Sequence, residues 1–154
     1  MLEKPLITRT TTQALAVLHQ TVPRAEIRNV MGPGLADVRS AAAAQGVAVT
    51  GPWLTHHLRM DPDVFDFEIC VPVASPITAT GRVKPGQWPA GWVARTVYHG
   101  SYEGLGAAWG EFLAWMEAEG HTAAKDLWEV YLMGPESTED PAMWRTQLSR
   151  PLAG

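Results

Sequence analysis

The chain has 154 residues, 46% of them apolar, and a formal net charge of −4 from 12 basic and 16 acidic side chains. That is one domain's worth of chain, able to bury a core that needs neither disulfides nor a structural metal. The charges are scattered, which leaves no basic footprint for direct DNA binding or for an anionic membrane, and no apolar run approaches the length of a membrane span.

The lone cysteine, Cys70, cannot close an intramolecular disulfide, and the start MLEKPLITRTTT lacks the basic and apolar regions of a signal peptide, so a cytoplasmic protein is expected. Seven tryptophans stand against three phenylalanines. Tryptophan combines a large apolar area with an N–H that needs a partner, which suits a core and also suits the wall of a site for flat ligands.

In chain order, Leu6 to Val22 reads as a strand or hairpin arm that ends at Pro23. A GPG turn at Gly32 to Gly34 leads into a helix whose stripe is Leu35, Val38, Ala41 and Ala42 and whose stop is Gly46. Strands follow at Trp53 to Leu58 and Val64 to Val73, joined by the turn-forming RMDPD. Pro76 to Ala90 is loop-like, with one short strand near Arg82 to Lys84. Then come an alternating strand, Gly91 to His99, and a helix from about Ser101 to Glu119 whose core line is Leu105, Trp109, Phe112 and Met116, capped by Gly120. Strand Leu127 to Met133, the turn GPESTEDP and a last strand, MWRTQLSRPL, complete the chain.

The halves, about 6–75 and 80–152 of a single domain covering 1–154, form an approximate repeat. Each reads strand, helix, strand, acidic turn, strand, and a polar residue stands four before a proline in both: Glu68 before Pro72, Gln147 before Pro151. The pattern predicts an α+β fold, duplicated strand-helix-strand-strand units forming an antiparallel sheet with two helices on one face. Alternation along the strand predicts Trp128, Val130 and Leu132 toward the helices. Leu127, Glu129, Tyr131 and Met133 then go to the other face, together with Trp53, Thr55 and His57 and with Asp66, Glu68, Cys70 and Gln147. Glu129 is the residue that asks for an explanation, because an ionised acid amid Leu127, Trp128, Val130 and Tyr131 needs a cationic or hydrogen-bonding partner.

YHGSYEGL, an aromatic-rich helix ending in Gly, LWEVYL, a GP turn and a strand ending RPL, with FEICVPV and PAGWVA before them, resemble the GyrI-like small-molecule-binding family over about residues 6 to 152. That family includes gyrase-inhibitor-like proteins and the effector-binding domains of multidrug-sensing regulators. The resemblance implies two repeats about a pseudo-twofold axis, with a ligand cleft on the sheet face opposite the helices. It implies that Glu129 is the acid of the cleft floor, pairing with cationic aromatic ligands, and that Tyr131, Tyr98 and Tyr102 match positions that are often aromatic. For some stand-alone members it implies a hydrolase that opens the strained cyclopropane of DNA-alkylating natural products with the same acid and a tyrosine. His57 stands where a tyrosine is common and Gln147 where a glutamate is common, and a stand-alone domain without a helix-turn-helix segment is the expectation.

Three functions follow as expectations. One is a stand-alone binding module for hydrophobic, often cationic aromatic compounds, with ligand contacts from Glu129, Tyr131, Trp53, His57, Trp92, Tyr98, Glu68 and Gln147. Another is a hydrolase on the same pocket, with Glu129, Tyr131 and Tyr98 catalytic. The third is a surface-acting interaction module with DNA gyrase as partner. A monomer or homodimer suffices for each. The plainer alternatives for Glu129 are an edge-strand acid in solvent and a structural acid met by an arginine such as Arg95 or Arg145, and for each aromatic the plainer reading is core packing, to which Trp109, Phe112 and Trp115 are assigned. His56 and His57 point to opposite faces and no His or Cys cluster has ligand spacing, so no metal is expected. The glycines at 104, 106 and 110 do not form a dinucleotide fingerprint, and no GxSxG or phosphate-binding loop is present, so no cofactor is expected.

Overall fold

A computed structural model describes residues 1–135 and 137–153, and of Met60 only the backbone. The turn expected over 134–141 includes residue 136, and the expected domain ends on residue 154; both positions lie outside the described residues. Among the described residues there are eight strands and two α-helices: β1 (Leu6–Thr10), β2 (Gln13–Pro23), α1 (Ile27–Ala44), β3 (Leu54–Met60), β4 (Val64–Pro72), β5 (Val83–Trp88), β6 (Gly91–His99), α2 (Leu105–Ala118), β7 (Leu127–Met133) and β8 (Arg145–Pro151). The class is α+β, as the pattern predicts.

The chain divides into two compact units, Thr11–Ala90 and Met1–Thr10 with Gly91–Gly154. The first unit contains β2, α1, β3, β4 and β5, in the sheet order β3-β4-β2-β5. The second contains β6, α2, β7 and β8, with β1 added at the edge, in the order β1-β6-β8-β7. In the first unit β2, before α1, pairs antiparallel with β4, and β4 pairs with β3; in the second β6, before α2, pairs antiparallel with β8, and β8 pairs with β7. Both units therefore wind the same strand-helix-strand-strand unit, and each adds one further antiparallel strand beside the first. Leu6 to Val22 is accordingly not one element: β1 pairs with β6, whereas β2 pairs with β4 and β5.

Helix α1 differs from the expectation at its start. It runs through Gly32, Pro33 and Gly34 rather than beginning after them. Pro33 lacks the N–H that would continue the ladder, so packing is what holds the segment helical: Gly34, Leu35, Val38, Ala41 and Ala42 are all buried. They meet Ala16, Leu18, Phe67, Ile69 and Val71 of β2 and β4 in one apolar cluster. A Cβ on Gly34 would collide with Cδ1 of Ile69, so glycine is what lets the helix lie this close to the sheet. Gly46 ends the helix at a φ of 68°, the left-handed position a side chain disfavours.

The loop-like stretch after Pro76 holds a longer strand than expected, β5. It carries Pro85, and it pairs with β2 alone among the strands of its unit. An edge strand can accommodate a residue without an N–H. In the second unit, α2 packs Ala108, Phe112 and Met116 against Ala94 and Tyr98 of β6 and Leu148 of β8.

Two outcomes test this packing. Gly34→Ala destabilises the protein by about 1–3 kcal/mol through the clash with Ile69, whereas Gly32→Ala, whose Cβ would meet nothing, leaves stability unchanged or raises it by up to about 1 kcal/mol. Denaturant unfolding of the two variants separates them. The second outcome concerns Asp66, which lies 2.6 Å from His19 Nε2 and 3.1 Å from Arg59 Nε. The His19 hydrogen bond chiefly, then those from Arg59 and Thr21, hold its carboxyl below the ordinary 3.8 against the opposing effect of partial burial. A lowered folded-state value contributes stability that is present above 3.8 and lost as pH falls through the lowered value. Asp66→Asn is therefore less stable than the parent at about pH 7, and the difference closes toward about pH 3, as read from urea midpoints.

Candidate functional site

Glu129 sits in the middle of β7 and is 8% exposed. Its Oε2 accepts the indole N–H of Trp109 at 2.7 Å and its Oε1 accepts the hydroxyl of Tyr131 at 2.8 Å. Both are charge-assisted hydrogen bonds of short length. Burying a carboxylate is costly without such donors.

Trp109 belongs to α2, so Glu129 points toward the helix, and this corrects the expectation that it faces away. The register agrees. Glu129 stands opposite Leu148, which stands opposite Thr96; Tyr131 stands opposite Thr146, which stands opposite Tyr98. Leu148 and Tyr98 are in the cluster under α2. One face of the second unit's sheet thus carries Glu129, Tyr131, Thr146 and Tyr98 beneath the helix, and Trp128, Val130, Gln147 and Ser149 are on the other. Trp128 is 1% exposed on that other face, so β7 is buried on both sides.

Aromatic rings line this side of the second unit. Tyr102, in a short 3-10 turn before α2, lies 5.8 Å edge-on from Tyr131 and 4.9 Å from Trp144, centroid to centroid. The Trp144 indole donates to the Thr138 carbonyl at 3.0 Å, which fixes that end. Along α2, Trp109 and Phe112 are 5.9 Å apart and Phe112 and Trp115 6.2 Å. Gly134 lies under the Tyr102 hydroxyl, where a Cβ would not fit. The result is a carboxylate whose hydrogen-bond donors, Trp109 and Tyr131, are themselves aromatic, with Tyr102 and Trp144 next in the series of rings.

The other expected site residues separate. Tyr98 is buried on the Glu129 side, but its hydroxyl donates to the Ser101 carbonyl at 2.9 Å and packs over Gly100 and Gly104, which ties β6 to the start of α2. Trp92 is 55% exposed at the start of β6, with the Arg9 guanidinium 5.8 Å over its ring. Gln147 is on the face away from α2. In the first unit, Trp53 packs against the α1 cluster, and His57 stacks on Phe67 at 5.4 Å with Thr55 Oγ1 3.2 Å from its Nε2. Thr55, His57 and Trp53 are therefore on the α1 side, again the reverse of the expectation. Glu68 is on the opposite side, 3.0 Å from His56 Nδ1, in an open groove of about 460 Å³ also lined by His19, Arg82 and Lys84. That groove is open to solvent, whereas Glu129 is buried among aromatic side chains, so Glu129 is taken as the candidate. Arg95, weighed as a partner for Glu129, donates to Ser149 on the face away from α2, and Arg145 donates to the Trp144 carbonyl.

Cys70 is buried, and burial, with Glu68 nearby, raises its thiol well above the ordinary value, as befits a packing residue. Among the described residues no three His, Cys, Asp or Glu side chains are grouped to hold a metal, and no helix is long and apolar enough to cross a membrane. Sequence reasoning assigned Trp109 to the core, against which it does pack, but did not foresee its hydrogen bond to Glu129. Its signal was the indole N–H itself, a donor needing an acceptor on the strand beneath.

The GyrI-like small molecule binding domain family matches residues 7–153. The chain belongs to that family. Among solved structures, the EcmrR C-terminal domain superposes on this GyrI-like protein with a TM-score of 0.85 at 18% identity, over 97% of each chain. A hydrolase from Listeria innocua gives 0.67 at 14%, over 97% of this chain and 92% of that one. SAV2435 bound to tetraphenylphosphonium gives 0.67 at 9%, over 99% and 95%. EcmrR in its DNA complex matches at 0.81 and 19%, over 97% of this chain and 57% of that chain, so the GyrI-like protein spans little more than half of it. These likenesses establish the fold. No curated protein matches by sequence.

Removing the indole donor while keeping the ring, Trp109→Phe, leaves the Glu129 carboxylate short of a hydrogen bond and costs about 1–3 kcal/mol in urea unfolding. Trp115→Phe, which changes no contact to Glu129, costs less.

Proposed function

We propose that this GyrI-like protein binds hydrophobic, cationic aromatic compounds with Glu129 as the counter-charge. The single observation behind the reading is the carboxylate itself: buried under α2 and accepting from Trp109 and Tyr131, with Tyr102 against Tyr131 and Trp144 against Tyr102. A cation with flat hydrocarbon gains both charge pairing and ring contact there, each well-placed ring adding about 0.5–2 kcal/mol. The tetraphenylphosphonium bound by the structural neighbour SAV2435 is a cation of this chemical kind. On this reading Glu129 and Tyr131 are the central ligand residues, and Trp109 and Tyr102 join them. Tyr98 supports the site from behind, and Gln147, on the face away from α2, has no part in it.

A second reading is favoured by one distance. Tyr131 donates to Glu129 at 2.8 Å, within reach for proton transfer. A hydrolase on this pocket would use Glu129 to take a proton from water as its oxygen bonds to a strained cyclopropane carbon. Tyr131 would supply a proton to the oxygen that receives the electrons of the broken bond. The hydrolase name of the Listeria innocua neighbour is in keeping with it.

Fluorescence titration with tetraphenylphosphonium and a cationic xanthene dye distinguishes charge pairing from mere greasiness. Binding should be saturable in the parent and at least about tenfold weaker in Glu129→Gln, a loss of about 1.4 kcal/mol or more. Equal binding by Glu129→Gln would remove the carboxylate from the site. Turnover of a cyclopropane-containing electrophile, lost in Tyr131→Phe with binding kept, would favour the hydrolase.

A further inference from the structure

Thr146 is fully buried, and among the described residues its hydroxyl has no hydrogen-bond partner. It stands on β8 between Tyr131 of β7 and Tyr98 of β6, in register with both and on the face covered by α2. Its neighbours' hydroxyls are engaged: Tyr131 with Glu129, Tyr98 with the Ser101 carbonyl, and Thr96, one row along, with the Glu3 carbonyl at 2.7 Å. A buried donor left unmade costs stability, and native interiors contain few of them. Valine has nearly the shape of threonine and would fill the position without that cost.

The first unit shows what packing alone selects at this point. Aligning Glu68 and Pro72 with Gln147 and Pro151 places Thr55 on Glu129, His57 on Tyr131 and Phe67 on Thr146. The Thr55–His57 contact at 3.2 Å repeats the Glu129–Tyr131 contact at 2.8 Å. Phe67 spends its position on hydrocarbon, fully buried and stacked on His57. Its counterpart carries a hydroxyl with nothing to bond, next to the acid that the proposed function assigns to the ligand.

We propose that Thr146 is a ligand-selecting residue, its hydroxyl donating to a carbonyl, ether or ring-nitrogen acceptor on a compound whose cationic centre pairs with Glu129. The inference rests on the reading of Glu129 as a cation-binding carboxylate. Direct cross-strand neighbours lie about 5 Å apart and diagonal ones about 7–8 Å, so the acceptor and the cation of the ligand are separated by roughly the width of one or two fused rings. Because Thr146 is enclosed, the ligand reaches it by turning the ring of Tyr131, its cross-strand neighbour, aside. A site that provides a hydrogen bond discriminates against analogues lacking the partner, since its own polar group then stays unpaired. The site therefore prefers cations with an acceptor to all-hydrocarbon cations of similar size.

The test pairs two probes, a rhodamine ester, which has ring-oxygen and carbonyl acceptors, and tetraphenylphosphonium, which has none, with the parent, Thr146→Val, Thr146→Ser and Glu129→Gln. Rhodamine affinity should fall about tenfold in Thr146→Val and be kept in Thr146→Ser, with tetraphenylphosphonium affinity unchanged in both. The unliganded Thr146→Val protein should melt at or above the parent temperature, which also confirms that it folds; Thr146→Ala provides a second variant lacking the hydroxyl. If Thr146→Val and Thr146→Ala bind rhodamine as the parent does while Glu129→Gln does not, the selecting role of Thr146 is overturned and the role of Glu129 stands. Binding of neither probe by the parent, or unchanged binding by Glu129→Gln, overturns both.

Discussion

The second unit is organised around one buried negative charge. Glu129 lies inside a strand whose two sides are both closed, and the cost of placing a carboxylate there is offset by an indole N–H from α2 and a phenol from its own strand. That pair of bonds ties helix to sheet at the level of Trp109. Below it, Phe112 and Met116 do the same with apolar contact alone.

The duplicated architecture makes the charge easier to interpret. In the first unit the equivalent pair is Thr55 and His57, polar but without a fixed charge, set on Phe67 and Ile69 in an apolar cluster under α1. One winding of the chain thus yields a unit that closes over hydrocarbon and a unit that closes over a carboxylate. What the two units share is the order and pairing of their strands; the side chains under the helix are what differ at these positions.

How much of this was legible beforehand depends on what each signal physically reports. Strands β6 and β7, with both their bounds, and the end of α2 follow from periodicity and from glycine stops, because those patterns register which side chains meet water; the expected start of α2 near Ser101 is instead a 3-10 turn, Tyr102–Gly104, and the α-helix begins at Leu105. The start of α1 was misplaced because Gly32-Pro33-Gly34 carries the local chemistry of a turn, and only contact with β2 and β4 holds it helical. The strand in the loop-like stretch was underestimated because Pro85 reads as a break, and at an edge it is tolerated.

The amino-acid sequence by itself determined the α+β class, the doubled strand-helix-strand-strand order and the identity of the one acid that must be satisfied in an apolar strand. Within one strand it also determined which residues share a face, since alternation is a local property; across strands it did not, because Gln147 lies opposite Val130 rather than with Glu129, and Glu68 lies opposite His56 rather than with Thr55 and His57. What only tertiary structure decided is which face the helix covers. Trp128 and Glu129 are both buried, so no difference in exposure along β7 marked the inner side. The side was set by where α2 lands and by Trp109 finding an acceptor there, a contact between residues 20 apart in sequence that no pattern within either element encodes.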